Sequence, residues 1–163
     1  MKNNTLLFSF IILASIIVSC NKQDLLTALP VEEPLQVSFK QDTVPVSLKV
    51  TQARKEMIGN MLVTAIDGKM PDSIINKSNL IIRVTGDSAR LYTNTEIFAS
   101  YTDSLGNSFS SEIGDTINTV SFTKLEKIID GIVSGSFTIR VSNLTKSKTI
   151  ILNNGKFNTK MIE

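Results

Sequence analysis

The stretch Val133-Ser134-Gly135-Ser136-Phe137-Thr138-Ile139-Arg140-Val141 decides the fold. Val133, Gly135, Phe137, Ile139 and Val141 fall on one face, and Ser134, Ser136, Thr138 and Arg140 on the other. A period of two is that of a strand with one buried and one solvated face. Such one-sided burial is the mark of antiparallel sheets. Gly135 beside Phe137 on the buried face predicts a close approach of two strands next to a core aromatic.

The same pattern extends outward in both directions. Residues 149–152 and 156–162 flank Asn153-Asn154-Gly155, which reads as a hairpin turn. Residues 120–125 read as a strand with imperfect alternation, and Lys127-Ile128-Ile129-Asp130-Gly131 turns the chain into 133–141. Residues 97–102 and 107–113 flank Asp103-Ser104-Leu105-Gly106, a four-residue connection. Strands are also predicted over 61–66, 80–85 and 89–93, with Asp67-Gly68 as the turn after the first of these. Val44, Val46, Leu48 and Val50 share one face of a further strand, and Pro45 within it argues for a sheet edge or a strand start. Residues 52–58 read as a turn of helix or an extended lead-in. About eight short strands with frequent turn signals predict an all-β fold, an antiparallel sandwich or a partly open barrel.

The N-terminal part reads differently. Lys2 precedes the apolar run Leu6 to Val18, which is 13 residues long. That suits the h-region of a signal peptide and falls short of the roughly 20 residues a spanning helix needs. The run ends in Ile17-Val18-Ser19-Cys20, and Cys20 is the only cysteine. This sequence resembles the lipobox of bacterial lipoproteins, which implies lipidation of Cys20 and removal of residues 1–19. Residues 20–45, with Pro30, Pro34 and Pro45, read as the lipidated cysteine and a flexible tether, and 46–163 as the β-domain.

Composition excludes several kinds of chemistry. The net charge of +2 falls to +1 without Lys2, the only charge in residues 1–19, and no basic block stands out. That gives no electrostatic footprint for nucleic acid. The chain has no His and no Trp. With Cys20 lipidated, imidazole and thiolate metal sites, Ser-His-Asp and Cys-His arrangements, and disulfides all lack their ligands or partners. No catalytic, metal or cofactor-binding residue is assigned, and the expectation is a protein that is not an enzyme.

Weaker candidates remain. Glu112 and Asp115 are close in sequence, as the paired carboxylates of a glycoside hydrolase must be in space, but solvated turn acids give the same pattern. Asp103, Ser104 and Asn107 offer oxygens that suit calcium, and ordinary turn chemistry explains them equally. Tyr92 and Tyr101 read as exposed contact aromatics or as buried or half-buried strand residues. Ser134 and Ser136 face outward on a strand with no lysine beside them in sequence.

The stretch from Asn60 to Glu163 resembles a family of small β-rich lipoproteins of unknown function from the Bacteroidota. The resemblance rests on Val63-Thr-Ala-Ile-Asp67-Gly-Lys69, the hairpin Tyr101-Thr-Asp-Ser-Leu-Gly106-Asn-Ser-Phe109, the strand–turn–strand around Val120 to Ile139, and Ile150-Ile-Leu-Asn-Asn-Gly155-Lys-Phe157. Where relatives carry an aromatic after the Gly-Lys pair, this chain has Met70-Pro71. The resemblance implies a fold and a cell-envelope address, and no activity. Asn21 after the cysteine resembles sorting to the outer membrane, on its periplasmic face or at the cell surface. The functional expectation is therefore a lipid-anchored, non-catalytic β-domain acting as a binding or structural accessory, with the membrane as its one assigned partner, through lipid on Cys20. The alternatives are a carrier of a small apolar ligand in a barrel cavity and, behind it, a carboxylate-dependent hydrolase.

Overall fold

The antiparallel pattern of 133–141 is realised in β10, Ile132–Ser142, one of eleven strands among the described residues. The structure is a computed structural model and describes residues 32–71 and 75–163. The leader 1–19, Cys20 and the first part of the expected tether lie outside the described residues. The strands are β1 Gln36–Gln41, β2 Val44–Leu48, β3 Val50–Ile58, β4 Met61–Lys69, β5 Asn79–Thr85, β6 Leu91–Thr93, β7 Ile97–Thr102, β8 Ser108–Ser110, β9 Thr119–Leu125, β10, and β11 Thr149–Lys160. A turn of 3-10 helix, Asn94–Glu96, links β6 to β7.

The strand order is β2-β1-β11-β10-β8-β7-β5-β4-β3, with β9 on β10 and β6 on β9. The two ends of this order, β2 and β3, are separated in the chain by Lys49 alone. Residues 44–58 are thus one bent run, pairing first with β1 and then with β4. Residues 91–102 do the same, pairing first with β9 and then with β5 and β8. Strands that pass from one half of a sheet to the other in this way form the corners of a barrel. A parallel bridge between Ala53 and Met161, with Ile162 N donating to Ala53 O at 2.8 Å, brings β3 against the chain just after β11. The fold is all-β, an antiparallel sheet nearly closed into a barrel.

Three local expectations are corrected. First, strands begin before residue 46, inside the stretch 20–45 expected to be a flexible tether. Residues 36–41 form β1, with Val37 and Phe39 buried, and the register Val37↔Phe157 carries it onto β11. Of the prolines that suggested a tether, Pro34 precedes this strand and Pro45 sits in β2, which has only β1 beside it in the strand order; an edge position tolerates the missing donor of Pro45. Second, residues 52–58 are strand, within β3.

Third, two turn signals lie inside strands. Asp67-Gly68 is part of β4. A Cβ on Gly68 would stand 3.0 Å from Val37 Cβ and 3.2 Å from Leu48 Cδ1, so the glycine admits the β1–β2 hairpin against β4. Asn153-Asn154-Gly155 lies within β11, where the register with β10 slips between Phe137↔Gly155 and Ile139↔Leu152. The extra residue is a β-bulge, and Asn154 takes the positive φ of 50° that a bulge can need.

The interior is filled with side chains. Phe39 meets Tyr101 edge-on at 5.6 Å, Tyr92 meets Phe122 at 5.7 Å, and Phe122 meets Phe157 at 5.2 Å. Such aromatic pairs add about 0.5–1.5 kcal/mol each beyond the area they bury. Glycines make room for two of the rings. Gly135 lies opposite Phe157 and Gly155 opposite Phe137, a reciprocal pair in the β10–β11 register. A Cβ on Gly135 would stand 2.5 Å from Phe157 Cζ, and one on Gly155 would stand 2.5 Å from Phe137 Cε2. The close approach expected at Gly135 is therefore present, and the aromatic it admits is Phe157.

Candidate functional site

The outward faces of β9, β10, β11 and β1 align in two polar rows. One row is Gln36, Asn158, Ser134 and Lys124; the other is Ser38, Lys156, Ser136 and Ser121. Over these rows lies an open groove of about 460 Å³, bounded on one side by Glu33 and Pro34. Asn158 Nδ2 donates to Glu33 O at 2.8 Å and so pins the arriving chain at the groove's edge. The β9–β10 register slips between Ser134↔Lys124 and Gly135↔Phe122, leaving Thr123 as the bulged residue. Its hydroxyl donates to Ser134 O at 3.1 Å. This bulge also explains the imperfect alternation of 120–125.

The lining of the groove, which takes in part of both rows, offers hydroxyls, side-chain amides, the Lys156 ammonium and the Glu33 carboxylate. That set can hydrogen-bond a polar ligand. Ser134 and Ser136, isolated from lysine in the sequence, stand opposite Lys124 and Lys156 across the sheet. The Ser134 hydroxyl is engaged with that of Thr123 at 3.1 Å.

Glu112 and Asp115 line a second open groove, of about 340 Å³, together with Arg140 and Lys146. Each acid faces its own cation: Glu112 lies 2.9 Å from Lys146 Nζ, and Asp115 lies 3.3 Å from Arg140 Nη1. Asp115 Oδ1 also accepts from Ile117 N at 3.0 Å. The structure sets acid against base here, twice, and the geometry is that of a surface ion-pair cluster.

Asp103 is buried, and its oxygens are used locally. Oδ1 accepts from Leu105 N and Asn107 N, both at 2.9 Å, and Oδ2 accepts from Asn107 Nδ2 at 2.8 Å. These bonds close the β7–β8 connection, as an Asx turn does. Burial pushes the Asp103 pKa up, but the Asn107 side chain, the two backbone donors and the Lys148 charge outweigh it, and the carboxyl is held below its ordinary value. An aspartate lowered in the folded state stabilises fully above its unfolded pKa of about 4, and that contribution is lost as pH falls through the folded value. Asp103→Asn should therefore cost about 2 kcal/mol at neutral pH, the scale of hydrogen bonds to a charged group. Urea denaturation of both proteins should show the difference shrinking in acid; an unchanged difference would remove Asp103 from the acid response.

Both tyrosines are core residues. Tyr92 is buried, with its hydroxyl donating to Ser88 O and accepting from Ser88 N, each at 2.9 Å. Tyr101 donates to Gln41 Oε1 at 2.8 Å, and burial first, then the Asp103 charge, push its phenol up to about 12.

One cluster went unread in the sequence. On the outer face of β3–β4–β5, Arg54 pairs with Asp67 and lies 3.4 Å from Glu56, and Arg83 Nε lies 2.5 Å from the same Glu56. Gln52 Nε2 donates to Asp67 Oδ2 at 3.1 Å. The Arg83 hydrogen bond, aided by both arginine charges against the pull of burial, lowers the Glu56 pKa. The cross-strand pairs Arg54↔Ala65 and Glu56↔Val63 carry these long side chains beside buried Ala65 and Val63. The cluster is a lid on the sheet's outer surface, and the β-period of 52–58 was its only signal in the sequence.

What the fold and surface define is a packed all-β domain, its sheet nearly closed into a barrel, bearing an open polar groove. No protein-family model, curated protein or solved structure matches the chain. Among the described residues, no group of three or more acidic, His or Cys side chains is arranged to hold a metal ion.

Proposed function

We propose that this protein is a lipoprotein of the cell envelope, anchored through Cys20, whose β-barrel is a non-catalytic binding or structural accessory. The observation that carries the reading of the domain is its filled interior. Phe39, Tyr101, Phe137, Phe122 and Phe157 occupy the space in which a carrier would hold an apolar ligand. The large grooves at β9–β10–β11–β1 and around Glu112 are lined by outward-facing polar residues, which suits recognition at the surface. The anchor reading is supported by Ile17-Val18-Ser19-Cys20 and by the apolar run before it. The likeness to Bacteroidota lipoproteins, with the outer membrane as the address, belongs to the same proposal.

Three acyl chains, as bacterial lipoproteins carry, would hold the protein firmly, because a single chain gives only reversible binding and each buried methylene adds about 0.8 kcal/mol. Mass spectrometry of the protein extracted from membranes tests both parts. The expected mass is the chain from Cys20 onward plus covalent acyl groups, with no apolar molecule retained under native conditions. Cys20→Ala should abolish acylation and release the protein from the membrane fraction. Acylation that survives Cys20→Ala would sink the anchor; a stoichiometric apolar ligand in the native spectrum would favour the carrier.

A further inference from the structure

The β3–β4 hairpin ends in an apolar tip. Met57 is 63% exposed, Ile58 45% and Met61 53%, around the turn at Gly59-Asn60. Neighbouring chain does not follow the hairpin to its end. On one side the last bond is from Gly86 N to Leu62 O at 2.8 Å, and on the other from Lys55 N to Glu163 O at 3.3 Å. The Ile58↔Met61 rung stands beyond both. Single exposed apolar residues are ordinary on protein surfaces. This tip is instead continuous with an apolar groove of about 170 Å³ that it shares with Phe98 and Ile113. Contiguous apolar surface of this kind marks a site of interaction.

The position of the tip says with what. The chain arrives at Glu33, which is held by Asn158 near the end of β11. The parallel bridge between Met161 and Ala53 means that β3 runs in the same direction as β11, so its far end, Ile58, lies at the end of the barrel where the chain arrives. From Ala53 to Ile58 is about 17 Å of strand at 3.3 Å per residue. From Cys20 to Glu33 the chain can reach at most about 45 Å. A second apolar loop lies at the same end. Ile128 and Ile129 are 69% and 72% exposed, in the turn that Asp130 N and Gly131 O tie to Met161 at 2.8 Å each. Basic side chains near these loops already have acidic partners: Lys127 lies 3.0 Å from Asp87, and Lys160 lies 3.9 Å from Asp130.

We propose that the β3–β4 hairpin tip, Met57, Ile58 and Met61, docks into the interface of the lipid bilayer that holds the anchor, and so orients the barrel on the membrane. This rests on the reading of Cys20 as the lipidated residue. Apolar side chains beside an anchor enter the headgroup and acyl boundary to a depth of about 5–10 Å. The tether supplies the proximity, and the tip supplies the orientation.

Lipidation of Cys20 leaves the mature chain without a thiol, so a single introduced cysteine can carry a polarity-sensitive fluorophore. The lipidated protein with Met61→Cys, Ile58→Cys or Leu144→Cys would be labelled and reconstituted into vesicles of phosphatidylethanolamine and phosphatidylglycerol. Leu144 follows β10 at the opposite end of the barrel and is fully solvated. Labels at 58 and 61 should shift to the blue on vesicles and be quenched by lipid-borne quenchers, while the label at 144 stays aqueous. Flotation of the vesicles reports the anchor separately. Flotation with all three labels aqueous would overturn the docking and leave the anchor standing. A blue shift at 58 and 61 that is present without vesicles would assign the tip to self-association and overturn the docking as well. Failure to float would end both readings.

Discussion

Gly135→Ala is expected to cost the domain about 3 kcal/mol, the upper end of the range for overpacking a well-filled core. The new Cβ would lie 2.0 Å from Ser121 O and 2.5 Å from Phe157 Cζ. The ring can rotate or shift, but the carbonyl belongs to the β9 backbone. Relief of that contact must move β9 away from β10, at the place where Thr123 already bulges and grips Ser134 O at 3.1 Å. For a domain of this size the loss corresponds to a fall in Tm of about 12 °C, at roughly 4 °C per kcal/mol. Thermal unfolding followed by circular dichroism checks this. A Tm within a degree or two of the parent would mean that β9 and β10 are less closely apposed than the structure has them.

Phe157→Ala should be as damaging for the opposite reason. Phe157 is buried within the β10–β11 pairing, edge-on to Phe122 at 5.2 Å and over Gly135. Removing such a ring leaves a cavity, and the typical loss is about 3–5 kcal/mol. The two substitutions share a contact, so they should not add. In the double variant the 2.5 Å clash is gone while the Ser121 O contact remains, and the new methyl partly fills the cavity. The pair should therefore be less destabilised than the sum of its parts, by more than the roughly 0.5 kcal/mol expected of independent sites. Denaturant melts of the four proteins give the cycle directly. Simple additivity would show that Phe157 and Gly135 do not share space.

Alternation was the part of the sequence that translated most directly into structure. The face Val133, Gly135, Phe137, Ile139 and Val141 is the inner face of β10, because a strand with a filled core on one side and water on the other must alternate. The Asp103 turn was legible for a similar reason, since its side chain needs only partners two and four residues away. Asn153-Asn154-Gly155 misled because a bulge and a hairpin turn ask the same thing of the backbone, a residue at ease with positive φ. Gly68 misled because its purpose is to admit Val37 and Leu48, residues about 31 and 20 positions earlier in the chain, and no local window contains them. The polar groove was invisible for the same cause. Gln36, Ser134, Lys156 and Asn158 are ordinary outward residues of three strands, and only the register brings them together.

The pairing of β1 with β11 joins residues 36–41 to residues 152–158. Closing a loop of that size is entropically slow, and folds dominated by such distant partners form in milliseconds to seconds. A chain threaded into another compartment N-terminus first would present β1 long before its partner arrived. Val37 and Phe39 would have only β2 beside them through most of the crossing, and the seam with β11 could zip only after β11 had followed.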